Sequence, residues 1–340
     1  SRHRTEPLSD TVNQFLLQYF PVLTADGSQL IFTRRKGNKD TDDEDIMVCD
    51  WESNTWSLPK SISPNINSKL NEGTCTITAD GRRIIFTSCV GRQGWGSCDL
   101  YESVKIGDDW SQPKNLGPRV NSPDWESQPA LSADGRVLYF VSDRRGGFGR
   151  RDIWYSTKLS NGEWSKAKNA GKEINTVYDE ISPFIHVNGN TFFFATNGLD
   201  GLGGYDIFKT EKDENGNWQK PINVGMPINN HEDQYALFVA SDGITTYYAH
   251  EETDAKGNSV SLLYKTVLSD DVVLASKPLI IKGLVQDAVT KQPLKSSIEL
   301  IATKKDSLIS FSYSDSIKGT YVLVLPERKE FALIARCPGY

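Results

Sequence analysis

An Asp-Gly or Asn-Gly dipeptide returns every 54 residues along this chain, at Asp26-Gly27, Asp80-Gly81, Asp134-Gly135, Asn188-Gly189 and Asp242-Gly243. Tryptophan keeps the same period at Trp56, Trp110, Trp164 and Trp218, and asparagine keeps it at Asn13, Asn67, Asn121, Asn175 and Asn229. Three residue types on one ruler exclude an ordinary single-core domain and require a repeat architecture. Five such units end close to Asp270-Asp271, where the composition changes.

Each unit reads as short antiparallel strands. In the third, Pro129–Ser132 leads through the Asp134-Gly135 turn into Val137–Ser142, rich in β-branched and aromatic residues. A Gly-rich loop, Gly146 to Gly149, precedes a third strand at Asp152–Ser156, and Asn161-Gly162 turns the chain into a fourth strand opened by Trp164. Asp-Gly and Asn-Gly supply the positive-φ positions that such hairpins need. Four strands per unit, repeated five times, predict an all-β chain whose first domain is a five-bladed β-propeller. Unit five supplies only Gln234–Ala240, Ile244–His250 and Val260–Thr266, whereas Leu8–Asn13 aligns with Ile62–Asn67. The N-terminal segment is therefore expected to add the missing outer strand and close the ring, with Val272–Ala275 as the competing source.

The expected domains are 1–270 for the propeller, 271–277 for a linker and 278–340 for a small β-sandwich. Ile280–Gln286, Ser297–Ala302, Leu308–Tyr313, Thr320–Leu325 and Phe331–Arg336 are its strands.

Charge and composition narrow the function. Among 340 residues, 38 Lys+Arg face 44 Asp+Glu, a net charge of −6 that argues against binding a nucleic-acid backbone. No run approaches the roughly 18 apolar residues of a membrane helix. Ser1 to Pro7 is charged with no apolar run behind it, so no signal peptide is read and a mature or excised fragment is expected. No His-Glu-x-x-His, nucleophile elbow or phosphate loop occurs, and His3, His186, His231 and His250 form no pattern. Neither a catalytic set, nor a metal site, nor a cofactor is expected, and His186 reads as a core residue.

Eight residues before each turn stand Gln18, Glu72, Glu126, Glu180 and Gln234, predicted to ring the channel mouth. They are read either as a site for a cation or a partner's basic side chain, or as structural groups paired with loop Arg residues and neighbouring backbone. Three carboxylates also suit a glycosidase, but their equivalent repeat positions give little reason for unlike pKa values. The same face gathers Trp95, Trp125, Arg144, Arg145, Phe148 and Tyr178, the aromatic and Arg content of a protein-docking surface. The bland alternative folds these side chains back over their own blades. Asp45, Asp99, Asp152 and Asp206 are expected to accept loop N–H groups. The run Asp40–Asp45 reads as a solvated loop and not a calcium site, and the repeated asparagines read as Asx turns at blade junctions. Cys89 and Cys98 flank one loop and are either a disulfide or a reduced pair.

Glu126-Ser-Gln-Pro-Ala-Leu-Ser-Ala-Asp-Gly135, the Gly149–Tyr155 segment, Trp164-Ser165 and Ile174-Asn175 resemble the PD40 repeats of TolB-like propellers. Gly283 to Asp287, Thr290–Leu294, Lys318 to Tyr321, Leu325-Pro326 and Gly339-Tyr340 resemble a carboxypeptidase-regulatory-like, transthyretin-like domain. Together they are similar to the PorE-like lipoproteins of the Bacteroidetes type IX secretion system. That resemblance implies a periplasmic protein associated with the outer membrane, binding secretion-machinery or envelope proteins. It implies peptidoglycan contact only through an OmpA-like domain that this sequence does not contain. The expectation is a non-enzymatic scaffold, with a carbohydrate-active or glycan-binding propeller using the channel carboxylates as the alternative.

Overall fold

The structure, a computed structural model, describes residues 5–37, 39, 42–89, 92–274, 276–303, 307–325 and 330–340. Ser1 to Arg4, Asp40, Gly91, Ala275 and Pro326, on which expectations above fall, lie outside the described residues. Every regular element among the described residues is a β-strand.

Each repeat folds into an antiparallel sheet. Unit three is Glu126–Leu131, Val137–Ser142 and Asp152–Thr157; unit four is Glu180–Ile185, Thr191–Thr196 and Asp206–Glu211. The turn glycines carry the positive φ their position requires, 69° at Gly27 and 72° at Gly135, and the preceding Asp side chain accepts the N–H two residues on.

The fourth strand departs from the expected continuous run and survives only as two-residue pieces such as Thr55–Trp56 and Lys60–Ser61. Two features break it. A serine after the tryptophan uses its hydroxyl to accept the third-strand N–H, as Ser111 does from Val104 at 3.0 Å and Ser165 from Thr157 at 3.0 Å. Pro59, Pro113 and Pro221 then remove a ladder donor.

The five periodic asparagines close that gap, which corrects the Asx-turn reading. Asn175 accepts the Ile153 N–H and returns its amide to the Ile153 carbonyl, both at 2.8 Å. Asn13, Asn67, Asn121 and Asn229 grip Leu263, Ile46, Leu100 and Ile207 in the same way. Each amide acts as one more rung of the sheet.

Neighbouring units share cores. Phe32, Phe86, Phe140 and Phe194, again 54 apart, are fully buried, each contributing roughly 1.5–3 kcal/mol of burial. Backbone bonds run from unit to unit, Ala25 N–H to the Ala79 carbonyl and Ala79 N–H to that of Ala133. The first and fifth units meet where Leu17 pairs in parallel with Ser261. The N-terminal Glu6–Pro7 pairs with Lys265 and Tyr264, on the outer edge of the fifth unit.

The C-terminal strands form two small sheets, Leu279–Leu284 with Thr320–Leu325, and Ser297–Ala302 between Ser307–Tyr313 and Phe331–Arg336. They rest on the end of the ring that carries the Asp-Gly turns. Val324 and Ile280 pack against Ala25, Ala79, Ala133 and Val187. Arg82 meets Asp315 at 3.2 Å, and Lys318 meets Asp108 at 2.6 Å.

Candidate functional site

The opposite end of the ring opens into a cavity of about 880 Å³. Its floor is made by the starts of the inner strands. There Pro21, Pro129 and Pro183 follow residues forced to positive φ, 53° at Phe20, 52° at Gln128 and 51° at Ser182. The register of each strand shifts at this point. A bulge of this kind re-aims side chains, and Phe20 and Gln128 end up lining the cavity.

Trp125 and Tyr235 supply aromatic surface to the walls, and Arg151 lies over the Trp125 ring at 5.0 Å. Tyr235 and Tyr205 pack with centroids 5.6 Å apart. Asp233 accepts the Tyr235 hydroxyl and the Tyr205 N–H, each at 2.9 Å. Burial, then the Asp233 and Glu251 charges, push the Tyr235 phenol up to about 12, so it stays a donor at neutral pH. Unit five lacks a Gly-rich loop. Its strands Thr245–Thr253 and Ser259–Val267, nine residues each, instead rise as a hairpin that places His250 and Glu251 on the rim.

The predicted ring of acids and amides does not line this mouth as an open ring. Gln18, Glu72, Glu126 and Glu180 are wholly buried and Gln234 nearly so. Each glutamate accepts a loop N–H four residues upstream: Ser68 to Glu72 at 2.9 Å, Ser122 to Glu126 at 2.7 Å and Thr176 to Glu180 at 2.7 Å. Arg92 and Arg144 complete Glu72 and Glu126 at 3.0 Å each. Arg144 is therefore withdrawn from the docking surface: burial opposes its charge, and Phe140 and Trp154 sandwich it. Trp125 belongs to the cavity wall. Trp95, Arg145, Phe148 and Tyr178 remain exposed on the surrounding loops, together with Leu202.

Those loops are held by Asp99, Asp152 and Asp206, which accept the N–H groups of Trp95, Phe148 and Leu202. Asp45 departs from the set and pairs with Arg34 and Lys36, at 3.0 Å each. Cys89 and Cys98 are disulfide-bonded, while Cys49 and Cys75 are buried thiols pushed up to about 12, chiefly by burial. His186 is buried against the Ala240 carbonyl at 2.9 Å. Glu232, Asp233, Tyr235, His250 and Glu251 were not singled out by the repeat pattern. The one sequence signal for them is unit five's missing Gly-rich loop.

No protein-family model matches the chain, and no curated protein sequence matches it. Among solved structures, an α-L-arabinofuranosidase from Podospora anserina, in complex with cellotriose, aligns with a TM-score of 0.50 at 9% identity, covering 79% of this chain and 97% of its own. An α-L-arabinofuranosidase from Lactobacillus brevis aligns at 0.47 and 14%, covering 78% and 95%. TolB from Acinetobacter baumannii aligns at 0.43 and 11%, covering 92% of this chain and 64% of its own, so the chain spans under two thirds of that TolB. These are likenesses of fold, and with the sheets above the first of them makes the chain an all-β protein of β-propeller type. That first likeness also corrects the expectation that the chain is not an enzyme. A fold shared with a glycoside hydrolase is one on which catalysis is carried out, so a missing triad or zinc motif does not exclude an enzyme.

Proposed function

We propose that the chain is a carbohydrate-active five-bladed β-propeller, closed by its N-terminal strand and followed by a small β-sandwich, that takes an oligosaccharide into the open cavity. The cavity itself carries this reading. It is large enough for several sugar rings, with aromatic walls at Trp125 and Tyr235 beside the polar groups of Gln128, Glu232 and Glu251. Sugars need that pairing, flat apolar surface for their C–H faces and hydrogen-bonding groups for their hydroxyls. The arabinofuranosidase with cellotriose shows a sugar ligand on a related fold. Glu72, Glu126 and Glu180 are not its chemical groups, because buried loop N–H groups and arginines already occupy them.

Calorimetry against a panel of soluble oligosaccharides, with reducing-end release read in the same samples, tests the proposal. Trp125→Ala and Tyr235→Ala should each weaken binding at least tenfold while leaving the fold intact. A panel in which no oligosaccharide binds overturns it.

A second reading is favoured by a separate feature. Trp95, Phe148, Leu202 and Tyr178 are each more than half exposed on the loops around the cavity. Large apolar side chains displayed on neighbouring loops suit a docking surface for another envelope protein, such as a component of a secretion machine. The scaffold role, the periplasmic location at the outer membrane and the type IX partners belong to this reading. Replacing Trp95, Phe148 and Leu202 together by Ser should abolish partner capture in envelope crosslinking. Unchanged capture overturns it.

A further inference from the structure

We infer that the ligand of the open cavity carries a carboxylate, as an oligosaccharide of uronic acids does, and that Arg151 holds it; this rests on the glycan reading above. One position in the repeat argues for it. At the entry to three of the units a short polar side chain accepts a main-chain N–H of the unit before: Asn71 from Glu44 at 2.9 Å, Asp179 from Arg151 at 3.2 Å and Asp233 from Tyr205 at 2.9 Å. Unit three has Trp125 at that position, and an indole cannot accept this bond. Trp125 is released from the repeat's structural task and lines the cavity, with the Arg151 guanidinium over its face at 5.0 Å. The two cations of the cavity wall differ in their partners. Arg35 is matched by Glu44 at 3.0 Å. Arg151 is half-buried, and its guanidinium has no ion-pair or hydrogen-bond partner among the described residues. Asp179 beside it is already taken, by Arg150 at 2.6 Å, the Tyr205 hydroxyl at 3.1 Å and the Arg151 main-chain N–H. A guanidinium stacked on a ring keeps its N–H edge open, and that edge fits the two oxygens of a carboxylate. The acids of the cavity all belong to unit five. Asp233 is held by the Tyr205 N–H and the Tyr235 hydroxyl, while Glu232 and Glu251 stand exposed, where water and salt screen them. What charge they retain turns the anionic end of a ligand toward Arg151.

Binding of three trisaccharides to the full chain distinguishes the possibilities: the galacturonic acid trimer, its fully methyl-esterified counterpart and cellotriose, with triglutamate as a fourth probe. We expect the galacturonic acid trimer to bind at least tenfold more tightly than the ester, which keeps its shape and loses its charge. That preference should collapse in Arg151→Gln, which keeps the main-chain N–H that Asp179 accepts. It should persist in Arg136→Gln, which follows the Asp134-Gly135 turn at the other end of the ring. Circular dichroism of each variant establishes that it is folded. Equal binding of all three sugars, or a preference that survives Arg151→Gln, overturns the carboxylate assignment and leaves the glycan reading standing. Triglutamate binding as tightly as the galacturonic acid trimer overturns the glycan reading and leaves Arg151 as an anion site. Binding of none of the four probes overturns both.

Discussion

The carboxylate of Glu126 meets the guanidinium of Arg144 at 3.0 Å with none of the acid exposed, whereas Glu180, one repeat later, meets no cation among the described residues and accepts the Thr176 N–H and the hydroxyls of Thr176 and Thr196. One position in the repeat thus holds two electrostatic solutions. Removing one partner of a buried pair strands the other charge, so Glu126→Gln should cost about 3–5 kcal/mol in urea unfolding. Adding Arg144→Met should recover most of that loss. A double-mutant cycle with no coupling would show that the pair is not what holds this loop.

Glu180 should behave in the opposite sense. Burial pushes its carboxyl above the ordinary range, and hydrogen bonds from Thr176 and Thr196 offset this only in part. The folded protein then holds this proton more tightly than the unfolded chain does. Stability contributed here is present at low pH and falls as pH rises through the raised pKa. Glu180→Gln should flatten that part of the pH profile and raise Tm at pH 7 by about 2 °C. Gln18 and Gln234 already occupy the equivalent position in units one and five. A drop in Tm at pH 7 would contradict the argument.

Asn175 offers a test of the broken fourth strand. Its amide is the partner of both the N–H and the carbonyl of Ile153, and all these groups are buried. Asn175→Ala leaves the Ile153 N–H without a partner, while the Ile153 carbonyl keeps the Ala170 N–H at 2.9 Å, and should cost about 1–3 kcal/mol. Asn175→Asp keeps the acceptor and loses the donor, so its cost should fall between that of the alanine variant and zero only at a pH low enough to protonate it. Hydrogen exchange at Ile153 should quicken in the alanine variant.

The periodic features were legible because a repeat states each structural need several times. Turn glycines, the Asp residues that hold the loops and the tryptophans could all be read by superposing units. The departures were not legible in that way. Asn13 and its four equivalents looked like turn residues because nothing in the sequence says that Ser57, Ser111 and Ser165 have interrupted the strand beside them. Glu72, Glu126 and Glu180 looked like a ring at the mouth because their spacing fixes a height in the ring but not a direction. The bulges at Phe20, Gln128 and Ser182 decide which neighbours face the cavity. Tyr235, His250 and Glu251 lie where unit five breaks the pattern, and averaging over units hides what one unit does alone.

Cys89 and Cys98 close the loop that carries Arg92 and Trp95. Closing a loop of this size removes disorder from the unfolded chain worth about 2–3 kcal/mol. Cys89→Ser with Cys98→Ser should lower stability by that amount. It should also quicken exchange of the Trp95 N–H, which is held by Asp99 at 2.6 Å. Equal stability with and without reductant in the native chain would remove the disulfide from the account.

Acid should detach the C-terminal sheets from the ring before the ring itself unfolds. Asp315 receives the Gly107 N–H at 2.8 Å and the Arg82 guanidinium at 3.2 Å across this boundary, and Asp26 pairs with Lys282. Burial pushes both carboxyls up, yet the hydrogen bonds and the cations outweigh it. Asp26 is brought down to about 2 and Asp315 below its usual range. A carboxyl lowered on folding adds stability above its unfolded pKa of about 3.9 and loses it as pH falls through the folded value. Between about pH 4 and pH 2 the docking contacts should therefore weaken, while the Phe32, Phe86, Phe140 and Phe194 cores of the ring, which bear no charge, persist. Small-angle scattering over that range should show the radius of gyration rising before the far-ultraviolet signal of the sheets is lost. Arg82→Ala should move the rise to higher pH. Simultaneous loss of both signals in the native chain and in the variant would mean that the two parts are held together by the apolar contact of Val324 and Ile280 with the ring alanines and not by these charges.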